Sequence, residues 1–555
     1  MPGSLMTAVL RNRHYDDIFL QSIETVSQNR MKGLDELCES LYEICLNHEH
    51  VVILPDFDMD GISSGTLGFA GLSELGFNVS LYIPDSSGSY GFKEKDIDAI
   101  IASFPDVKAI ITCDVGSGCH SAISYAARLG IRVFVTDHHM IPVVPKDADV
   151  VVNPMRSDDD YEHGEICGAH VLWQVLMHYA NCYGTVHHRE AVERLRVFAG
   201  IGTVSDTMPM LYENRQLVRD AVAICRSVYA EGDFSYICSM GTCEIYTRAF
   251  QGLFYVVKAY QELGKITCPD DIDETFFGYY MAPMFNSLKR MGISVEEAFL
   301  VFFGGEQEER VASLMALNEQ RKLVVEQYMD EIRSSSNPHA PYIYVTNVPG
   351  GLAGLIAMKL HQESGEPTIV LRKTERGYEG SGRSPSWYPF LSLVGEFGDG
   401  RISAAGHEGA FGFFAEDENV LFDLFMYISA TANAARPEMK ELVYDAIIGD
   451  NGDANLDVSE MASYVHDKNV LRPFGPQFET PVIMARFSSE FAVFDYIGNE
   501  QQHLRITLPG GIKILCWNQA GMEKECGDVI QVIGDINENT FRQITSYQME
   551  GQIVI

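Results

Sequence analysis

The 555-residue sequence has few basic residues and lacks several patterns. It holds 41 Lys and Arg against 77 Asp and Glu, a formal net charge of −36, which on its face argues against a nucleic-acid partner, because phosphate binding needs a positive surface. Its 12 cysteines include no CxxC pair of the zinc or redox type. No uncharged apolar run reaches the ~20 residues that cross a bilayer, and no signal peptide is readable. We therefore expect a soluble, cytoplasmic protein with reduced thiols.

The first part of the chain has the pattern of an α/β domain with a parallel sheet. Hydrophobic residues make up 46% of the sequence, which excludes disorder, and the length predicts about three or four domains. Between residues 51 and 206, short β-branched runs alternate with helical stretches, as in a parallel sheet covered on both faces. The predicted strands are 51–54, 79–83, 108–112 and 131–136, and two of the predicted helices are 63–75 and 122–129.

Three further regions follow. A long connector helix is predicted over 306–333 from its apolar stripe, and the SSSNP segment at 334–338 ends it. A second α/β segment follows, and the last 75 or so residues alternate apolar and polar as in a small β-barrel, the oligonucleotide-binding (OB) barrel being one option. The predicted domains are an N-terminal helical segment 1–47, the first α/β domain 48–215, a helical region with the connector helix 216–338, the second α/β domain 339–430, an acidic bridge 431–477 and the β-barrel 478–555.

Four polar clusters are each predicted to follow a strand of the first domain. They are Asp56-Phe57-Asp58-Met59-Asp60-Gly61, Cys113-Asp114-Val115-Gly116, Asp137-His138-His139 and Ser205-Asp206. Parallel strands end at one crevice, where five or six carboxylates would repel each other unless a cation lay between them. This donor set favours Mg²⁺ or Mn²⁺ over zinc. Two such ions would suit phosphoester cleavage, in which they activate water and stabilise the leaving oxygen.

Each cluster taken alone has a simpler explanation. An acidic residue after a strand most often caps the next helix, so the metal-site hypothesis depends on all four clusters occurring in order. A second histidine pair, His187-His188, serves as a comparison. It follows no predicted strand and has no acidic residue nearby, so we predict an exposed loop pair.

The clusters resemble a known family. DFDMDG, CDVGSG, TDHH and GTVSD match in order the four motifs of the DHH phosphoesterases, and DxDxDG is the form seen in RecJ-like exonucleases. The similarity extends from about residue 50 to the end of the chain. MAPMFNSLKRMG (281–292) resembles the RecJ-like segment that carries an Asn and an Arg toward the scissile phosphate. PGGLAGLIAMKL (349–360), GSGRS (380–384) and AAGHEGAFGF (404–413) resemble the DHH-associated domain. RPFGPQFETPVI (472–483) and the last strands resemble the linker and the OB barrel.

The resemblance implies a site for two divalent ions, Mn²⁺ or Mg²⁺. The implied metal ligands are Asp58, Asp60, His138 and Asp206, with Asp114 bridging the ions and Asp56 as an outer ligand or orienting group. His139 would face the phosphate or the attacking water. Related pyrophosphatases carry a histidine four residues before the second aspartate of the first motif, where this sequence has Leu54. This departure fits the RecJ-like branch.

The resemblance also implies a substrate-binding set across the cleft. By family position, Asn286 and Arg290 face the reacting phosphate, where Arg290 would balance developing charge. Arg383 can hold a phosphate bidentately, Ser381 and Ser384 would add hydroxyl donors, and His407 would contact a terminal phosphate. In the barrel, Trp517, Phe494 and Tyr496 are candidates for base stacking, although strand aromatics are more often core residues.

The sequence therefore predicts a metal-dependent exonuclease of single-stranded DNA in repair or recombination. By resemblance it works from 5′ to 3′ and releases mononucleotides, with a helicase or single-strand-binding protein as candidate partners. Two alternatives stay open: a DHH phosphodiesterase of short oligoribonucleotides or cyclic dinucleotides, which would be shorter and lack the barrel, and a catalytically silent DNA-binding scaffold, which would have lost motif carboxylates. Residues 371–383 carry four basic and two acidic residues, so we expect a local basic track on an acidic body.

Overall fold

The computed structural model of the chain describes residues 5–15, 30–84, 91–231, 241–397, 400–437, 443–449, 456–541 and 544–554. Within these residues, no helix combines the length and the apolar composition needed to span a membrane.

The first domain is built on a parallel sheet, as predicted. Two helices precede it, α1 (Leu5–Asn12) and α2 (Leu34–Leu46). The domain then runs β1 (His50–Pro55), α3 (Met59–Glu74), β2 (Asn78–Leu81), α4 (Glu94–Ser103), β3 (Val107–Cys113), α5 (His120–Arg128), β4 (Arg132–Thr136) and β5 (Val150–Val152). The strand order is β2-β1-β3-β4-β5 with every pair parallel. The order reverses direction between β1 and β3, which is where α/β sheets open a crevice for ligands.

Helices cover both faces of this sheet. Along β1, Val51 and Ile53 pack into a core with α2 and α3, whereas Val52 and Leu54 pack into a separate core with α4 and α5. All four side chains are fully buried, because alternate residues of a strand point to opposite faces. This two-sided burial explains the continuous apolar run that predicted the strand.

A helical region follows and contains one departure from the predicted pattern. Its elements are α6 (Gly168–Tyr183), α7 (Val186–Arg194), α8 (Arg196–Ser205), α9 (Tyr212–Glu231), α10 (Glu244–Glu262), a π-helix (Phe276–Met281), α11 (Ala282–Arg290), α12 (Glu296–Phe303) and the connector helix α13 (Gln307–Ser334). Asp206 was predicted to follow a strand, but it caps the C-terminus of helix α8. A short apolar run fits a buried helix as well as a buried strand, so the prediction for this cluster was wrong.

The second α/β domain has a mixed sheet. Its elements are β6 (Ile343–Val345), α14 (Gly350–Ser364), β7 (Thr368–Thr374), β8 (Gly377–Arg383), α15 (Phe390–Phe397), β9 (Ile402–His407), β10 (Ala410–Ala415) and α16 (Glu418–Ala435). The strand order is β6-β7-β8-β10-β9; β6 and β7 run parallel, and the other pairs are antiparallel.

The C-terminal region is rich in strands and OB-like. It comprises β11 (Ala446–Ile448), α17 (Val458–Leu471), β12 (Ile483–Ser488), β13 (Val493–Ile497), β14 (His503–Thr507), β15 (Lys513–Cys516), β16 (Val529–Phe541) and β17 (Ile544–Val554). These strands form one sheet in the order β11-β12-β16-β17-β15-β14-β13. β11 lies inside the segment 431–477 and pairs with β12, so part of that segment belongs structurally to the C-terminal sheet.

The first helix is docked onto this C-terminal region. Leu5 and Val9 are buried in its hydrophobic core. Just after α1, Arg13 holds Asp445 with two hydrogen bonds, Nε to Oδ1 at 2.9 Å and Nη2 to Oδ2 at 2.8 Å, and donates a third to the Glu479 carbonyl at 2.6 Å. Both charged side chains are largely buried. The start of the chain therefore helps to hold its last domain.

We predict that Arg13→Ala lowers the free energy of unfolding of the C-terminal region by about 2–4 kcal/mol, because it leaves the Asp445 carboxylate buried without its cation. Chemical denaturation followed by tryptophan fluorescence would measure this, since Trp517 lies in that region. Arg11→Ala is the matched control, as Arg11 is exposed on the same helix. Equal stability of the two variants would contradict the role given to Arg13.

Candidate metal and phosphate site

The loop after β1 presents its aspartates through the start of α3. The side chain of Asp58 caps this helix, accepting hydrogen bonds from the backbone N–H groups of Asp60 at 3.0 Å and Gly61 at 3.1 Å. Asp58 therefore caps the next helix, as the simpler explanation predicts, and it also belongs to one of the carboxylate groups described below. A Cβ on Gly61 would lie 2.5 Å from the Asp56 carbonyl, so only glycine allows this tight turn.

The Asp60 carboxylate is buried and is held by the next helix along the sheet edge. It accepts hydrogen bonds from the backbone N–H groups of Gly168 at 2.7 Å and Ala169 at 3.1 Å, at the N-terminus of α6. The partial positive charge of a helix N-terminus stabilises a carboxylate. Helix α8 approaches from the other side, where a Cβ on Gly202 would lie 2.3 Å from Asp60 Oδ1.

Asp114 follows β3 in a left-handed backbone conformation, with φ of 64°. Aspartate and asparagine tolerate this region better than most residues. Asp114 is buried, and a Cβ added to Gly168 would lie 2.5 Å from the Cβ of Asp114. An oxygen of its carboxylate lies within 4.8 Å of carboxylate oxygens of Asp56 and Asp58, in the loop after β1.

The two histidines after β4 have different surroundings. His138 Nε2 lies 3.1 Å from Asp114 Oδ1, 3.4 Å from Asp206 Oδ2 and 3.8 Å from Asp60 Oδ2, so this imidazole is central to the carboxylates. His139 Nδ1 is hydrogen-bonded to Asp137 Oδ1 at 2.8 Å. Burial lowers the pKa of His139, but the hydrogen bond and charge of Asp137 outweigh it and raise the pKa to about 9. Burial also lowers the pKa of His138.

Asp137 and Asn153 orient the histidines, and the sequence reasoning gave neither a role. Asp137 is buried and accepts hydrogen bonds from the backbone N–H groups of Ser117 at 2.8 Å and His138 at 2.8 Å. Asn153 Nδ2 donates to the carbonyl of His139 at 3.0 Å and to Ser117 Oγ at 2.8 Å. The place of Asp137 directly before the two histidines was a usable signal for such an orienting role. Asn153, just after the short strand β5, carried none.

Donor atoms from the predicted residues meet at the edge of the sheet. They form three groups, each within 4.8 Å: Asp114, His138 and His139; Asp60, His138 and Asp206; Asp56, Asp58 and Asp114. Burial and then the Asp58 charge raise the pKa of Asp56 well above its usual value, and burial and then Asp60 do the same for Asp114. Burial, Asp60 and Asp58 raise the pKa of Asp206 to about 8.

This donor set fits a pair of hard divalent cations. The carboxylates resist ionisation because they are desolvated and close together, and a cation between them removes both causes. Asp114 belongs to two of the three groups and His138 to two, so neighbouring ions could share ligands. Carboxylate oxygens with one or two imidazoles match Mn²⁺ or Mg²⁺. The residues present therefore suit these metals.

Basic residues approach the carboxylates from the end of α11. Lys289 Nζ lies 2.7 Å from the centre of the Phe57 ring, and the charges of Asp56 and Asp58 act on it while burial lowers its pKa. Arg290 lies close enough to Asp58 for the charge of that carboxylate to act on it. Burial, and after it the charges of Arg321 and Arg383, lowers the pKa of Arg290 to about 10. One turn earlier on α11, the Asn286 Oδ1 is buried without a hydrogen-bond donor among the described residues.

The predicted substrate-binding residues of the second α/β domain have different surroundings. Arg383 ends β8, and its terminal Nη2 lies against the first turns of α14, near Ser381. Ser384 is buried, and its hydroxyl donates to the Tyr388 carbonyl at 2.8 Å, so this serine holds a loop instead of facing the cleft. His407 ends β9, and its side chain is outside the described part of the structure.

The structure also locates the His187-His188 pair and the aromatic residues of the barrel. His187, predicted in an exposed loop, lies in the first turn of α7, and its Nε2 is 2.9 Å from the buried Glu74 Oε1. The acid is 113 residues away in sequence, so no local pattern could reveal it. In the C-terminal sheet, Trp517 and Tyr496 are partly exposed, whereas Phe494 packs against the core.

Two family models match parts of this chain. The family model described as the DHH family, N-terminal domain, matches residues 50–197, and the RecJ OB domain model matches residues 452–552. The Salmonella typhimurium protein named single-stranded-DNA-specific exonuclease RecJ is 24% identical over 94% of this chain and 90% of its own length. The Bacillus subtilis protein of the same name is 24% identical over 92% of this chain and 62% of its own length.

The fold also matches a solved structure. The crystal structure of RecJ in complex with Mn²⁺ from Thermus thermophilus superimposes with a TM-score of 0.76 at 20% identity, over 99% of this chain and 75% of that one. This likeness confirms the predicted order of architectures: a parallel α/β domain, a helical middle, a second α/β domain and an OB-like C-terminal region.

We predict that Gly168→Ala weakens Mn²⁺ binding by about 10- to 100-fold, because the added methyl group must displace the Asp114 side chain, 2.5 Å away. Isothermal titration calorimetry with MnCl₂ measures the affinity. Gly118→Ala is the control, since its added Cβ meets nothing within 4 Å and its φ is not positive. If the two variants bind Mn²⁺ equally, the close contact at Gly168 does not shape the site.

Proposed function

We propose that this chain, which carries a DHH-family domain and a RecJ OB domain, is a metal-dependent exonuclease that hydrolyses single-stranded DNA. The observation that carries the proposal is the set of three donor groups at the sheet edge, with Arg290 close to Asp58. Carboxylates for cations beside a guanidinium for an anion are the two requirements of phosphodiester hydrolysis. The similar curated proteins from several bacteria bear the name of that activity.

The metal ligands would be the motif residues. We assign Asp58, Asp60, His138 and Asp206 as ligands, Asp114 as the residue shared between two ions, and Asp56 as an outer ligand or orienting group. The chemistry that two Mn²⁺ or Mg²⁺ ions supply in such a site is activation of water and stabilisation of the leaving oxygen. Asp60 is held for this role by the N-terminus of α6.

The chain's own cationic groups would manage the phosphate. Asp137 binds Nδ1 of His139, which directs the Nε2 edge of the ring away from Asp137 and, in our assignment, toward the phosphate or the attacking water. Arg290 would neutralise charge that develops on the reacting phosphate, with Asn286 beside it on the same face of α11. Arg383, with Ser381, would bind a phosphate from the second domain, and we retain His407 as a candidate contact to a terminal phosphate.

The direction and the setting are further parts of the proposal. We propose that the strand is degraded from 5′ to 3′ with release of mononucleotides, since the motifs of the chain have the RecJ-like form. An OB-like region suits a single-stranded polymer better than a dinucleotide. The cytoplasm is the proposed location, and all described cysteines are free thiols. A helicase or a single-strand-binding protein would supply the substrate strand.

We predict that Asp114→Asn lowers the rate of single-stranded DNA hydrolysis about 1000-fold or more, because the shared ligand loses its charge. Asparagine also tolerates the left-handed backbone at this position, where φ is 64°, so the fold should persist by circular dichroism. Asp98→Asn, on an exposed residue of the same domain, should keep full activity. Substantial hydrolysis by the Asp114 variant would rule out its assigned role.

The function itself is tested with end-labelled substrates. We expect a 5′-labelled single-stranded DNA incubated with Mn²⁺ to release labelled mononucleotide at once, and a 3′-labelled strand to shorten before its label is released. EDTA should stop both reactions, and blunt duplex DNA should resist. Preferred cleavage of RNA dinucleotides or cyclic dinucleotides would favour a short-substrate phosphodiesterase. Binding of DNA without cleavage under any metal would favour a silent scaffold.

A further inference from the structure

Arg290, which lies close to Asp58, has two further arginines from other elements near it. Arg290 ends α11, Arg321 lies in the middle of the connector helix α13, and Arg383 ends β8. Arg290 is near enough to both of the others for their charges to lower its pKa, after the effect of burial. No role was predicted for Arg321 from the sequence, because a charged residue on a long helix is usually exposed to solvent.

The N-terminal turns of α14 fix two of these arginines. A Cβ on Gly351 would lie 2.7 Å from the Arg290 carbonyl oxygen, and a Cβ on Gly354 would lie 3.2 Å from Arg383 Nη2. The two glycines are one turn apart on the same face of the helix. The end of α11 and the guanidinium of Arg383 therefore pack closely against one side of α14, where the helical region meets the second α/β domain.

Arg321 is held in place without an acidic partner. Its side chain is only 8% exposed, and its Nε donates to Oδ1 of Asn318 at 3.0 Å, one turn earlier on α13. Among the described residues, no carboxylate forms an ion pair with Arg290, Arg321 or Arg383. Glu319 acts on Arg321 only at a distance, and its Oε1 is bound by Lys322 Nζ at 2.7 Å.

One buried and two half-buried arginines of like charge favour a nearby anion. A buried charge is ordinarily paired, because desolvation without a partner is costly, and here three guanidinium groups share one region. Asn318 offers Arg321 a neutral acceptor, which orients the side chain but leaves its charge uncompensated. A structural role alone would be served as well by an apolar residue of similar size. The uncompensated charge points instead to an anionic ligand that arrives from outside the chain.

We propose that Arg321 is a third phosphate-binding residue, which acts with Arg290 and Arg383 on two neighbouring phosphates of the substrate strand. This inference rests on the proposed function and adds a residue that neither the motifs nor the comparisons assign. A terminal phosphate monoester carries a charge of about −1.5 to −2 at pH 7, and the adjoining diester adds one more. Together they match the three guanidinium charges.

The test measures binding without turnover, in EDTA, with two probes: thymidine 5′-monophosphate and a fluorescent oligothymidylate bearing a 5′-phosphate. We expect Arg321→Met to weaken both probes about tenfold or more and to make the salt dependence of oligonucleotide binding shallower, by a slope of about 0.7. Arg321→Lys keeps the charge but loses the planar fork, so it should fall between the wild type and Arg321→Met. Thermal unfolding of each variant reports whether it is folded.

Lys322→Ala is the matched control, because it removes one positive charge from the adjacent, exposed position of the same helix, and it should bind both probes like the wild type. Wild-type affinity in a folded Arg321→Met variant would overturn the proposal. If that variant does not fold, wild-type affinity of Arg321→Lys for both probes would overturn it equally, because the planar fork would then contribute nothing. Failure of the proposed function would look different: wild-type protein would bind thymidine 5′-monophosphate through the arginines yet leave single-stranded DNA intact.

Discussion

The arrangement of the first domain depends on the cost of burying several carboxylates at one sheet edge. Asp56, Asp60, Asp114 and Asp137 are all nearly inaccessible to solvent. The chain compensates two of them itself: the start of α6 holds Asp60, and backbone amides together with His139 hold Asp137. Burial still raises the pKa of Asp60, and it raises the pKa values of Asp56 and Asp114 well above their usual range. The protein thus supplies part of the positive charge and leaves a defined remainder to be supplied by cations.

A similar imbalance of charge, with the opposite sign, exists among the arginines around Arg290. The whole chain is strongly acidic, yet Arg290, Arg321 and Arg383 form a cationic region where the helical region meets the second α/β domain. An acidic exterior repels a polyanion except where the polyanion reaches these arginines, and their partial burial strengthens that local attraction. The net charge of the sequence therefore says little about affinity at this site, and the first inference drawn from it was too general.

The sequence allowed the strands, the connector helix and most residues of the candidate metal site to be predicted, because these signals are local. Buried strands show as β-branched runs, and motif acids follow them directly. Asp206 was placed in the correct cluster but on the wrong element, since a short apolar run does not distinguish helix from strand. The contact between His187 and Glu74 and the orienting role of Asn153 join distant parts of the chain. Arg321 was overlooked because a charged residue on a long helix is usually solvated, and only packing between three elements shows that it is buried.

The docking of α1 has a consequence for the chain while it is being made. Arg13 and Asp445 are 432 residues apart, so at ribosomal rates of ~5–20 residues per second the helix waits about 20–90 s for its binding surface to be synthesised. During that interval, most of the core that buries Leu5 and Val9 has not yet been synthesised. Helix α1 therefore carries exposed apolar side chains until the segment around Asp445 has been synthesised, and in the folded protein the C-terminal core covers them.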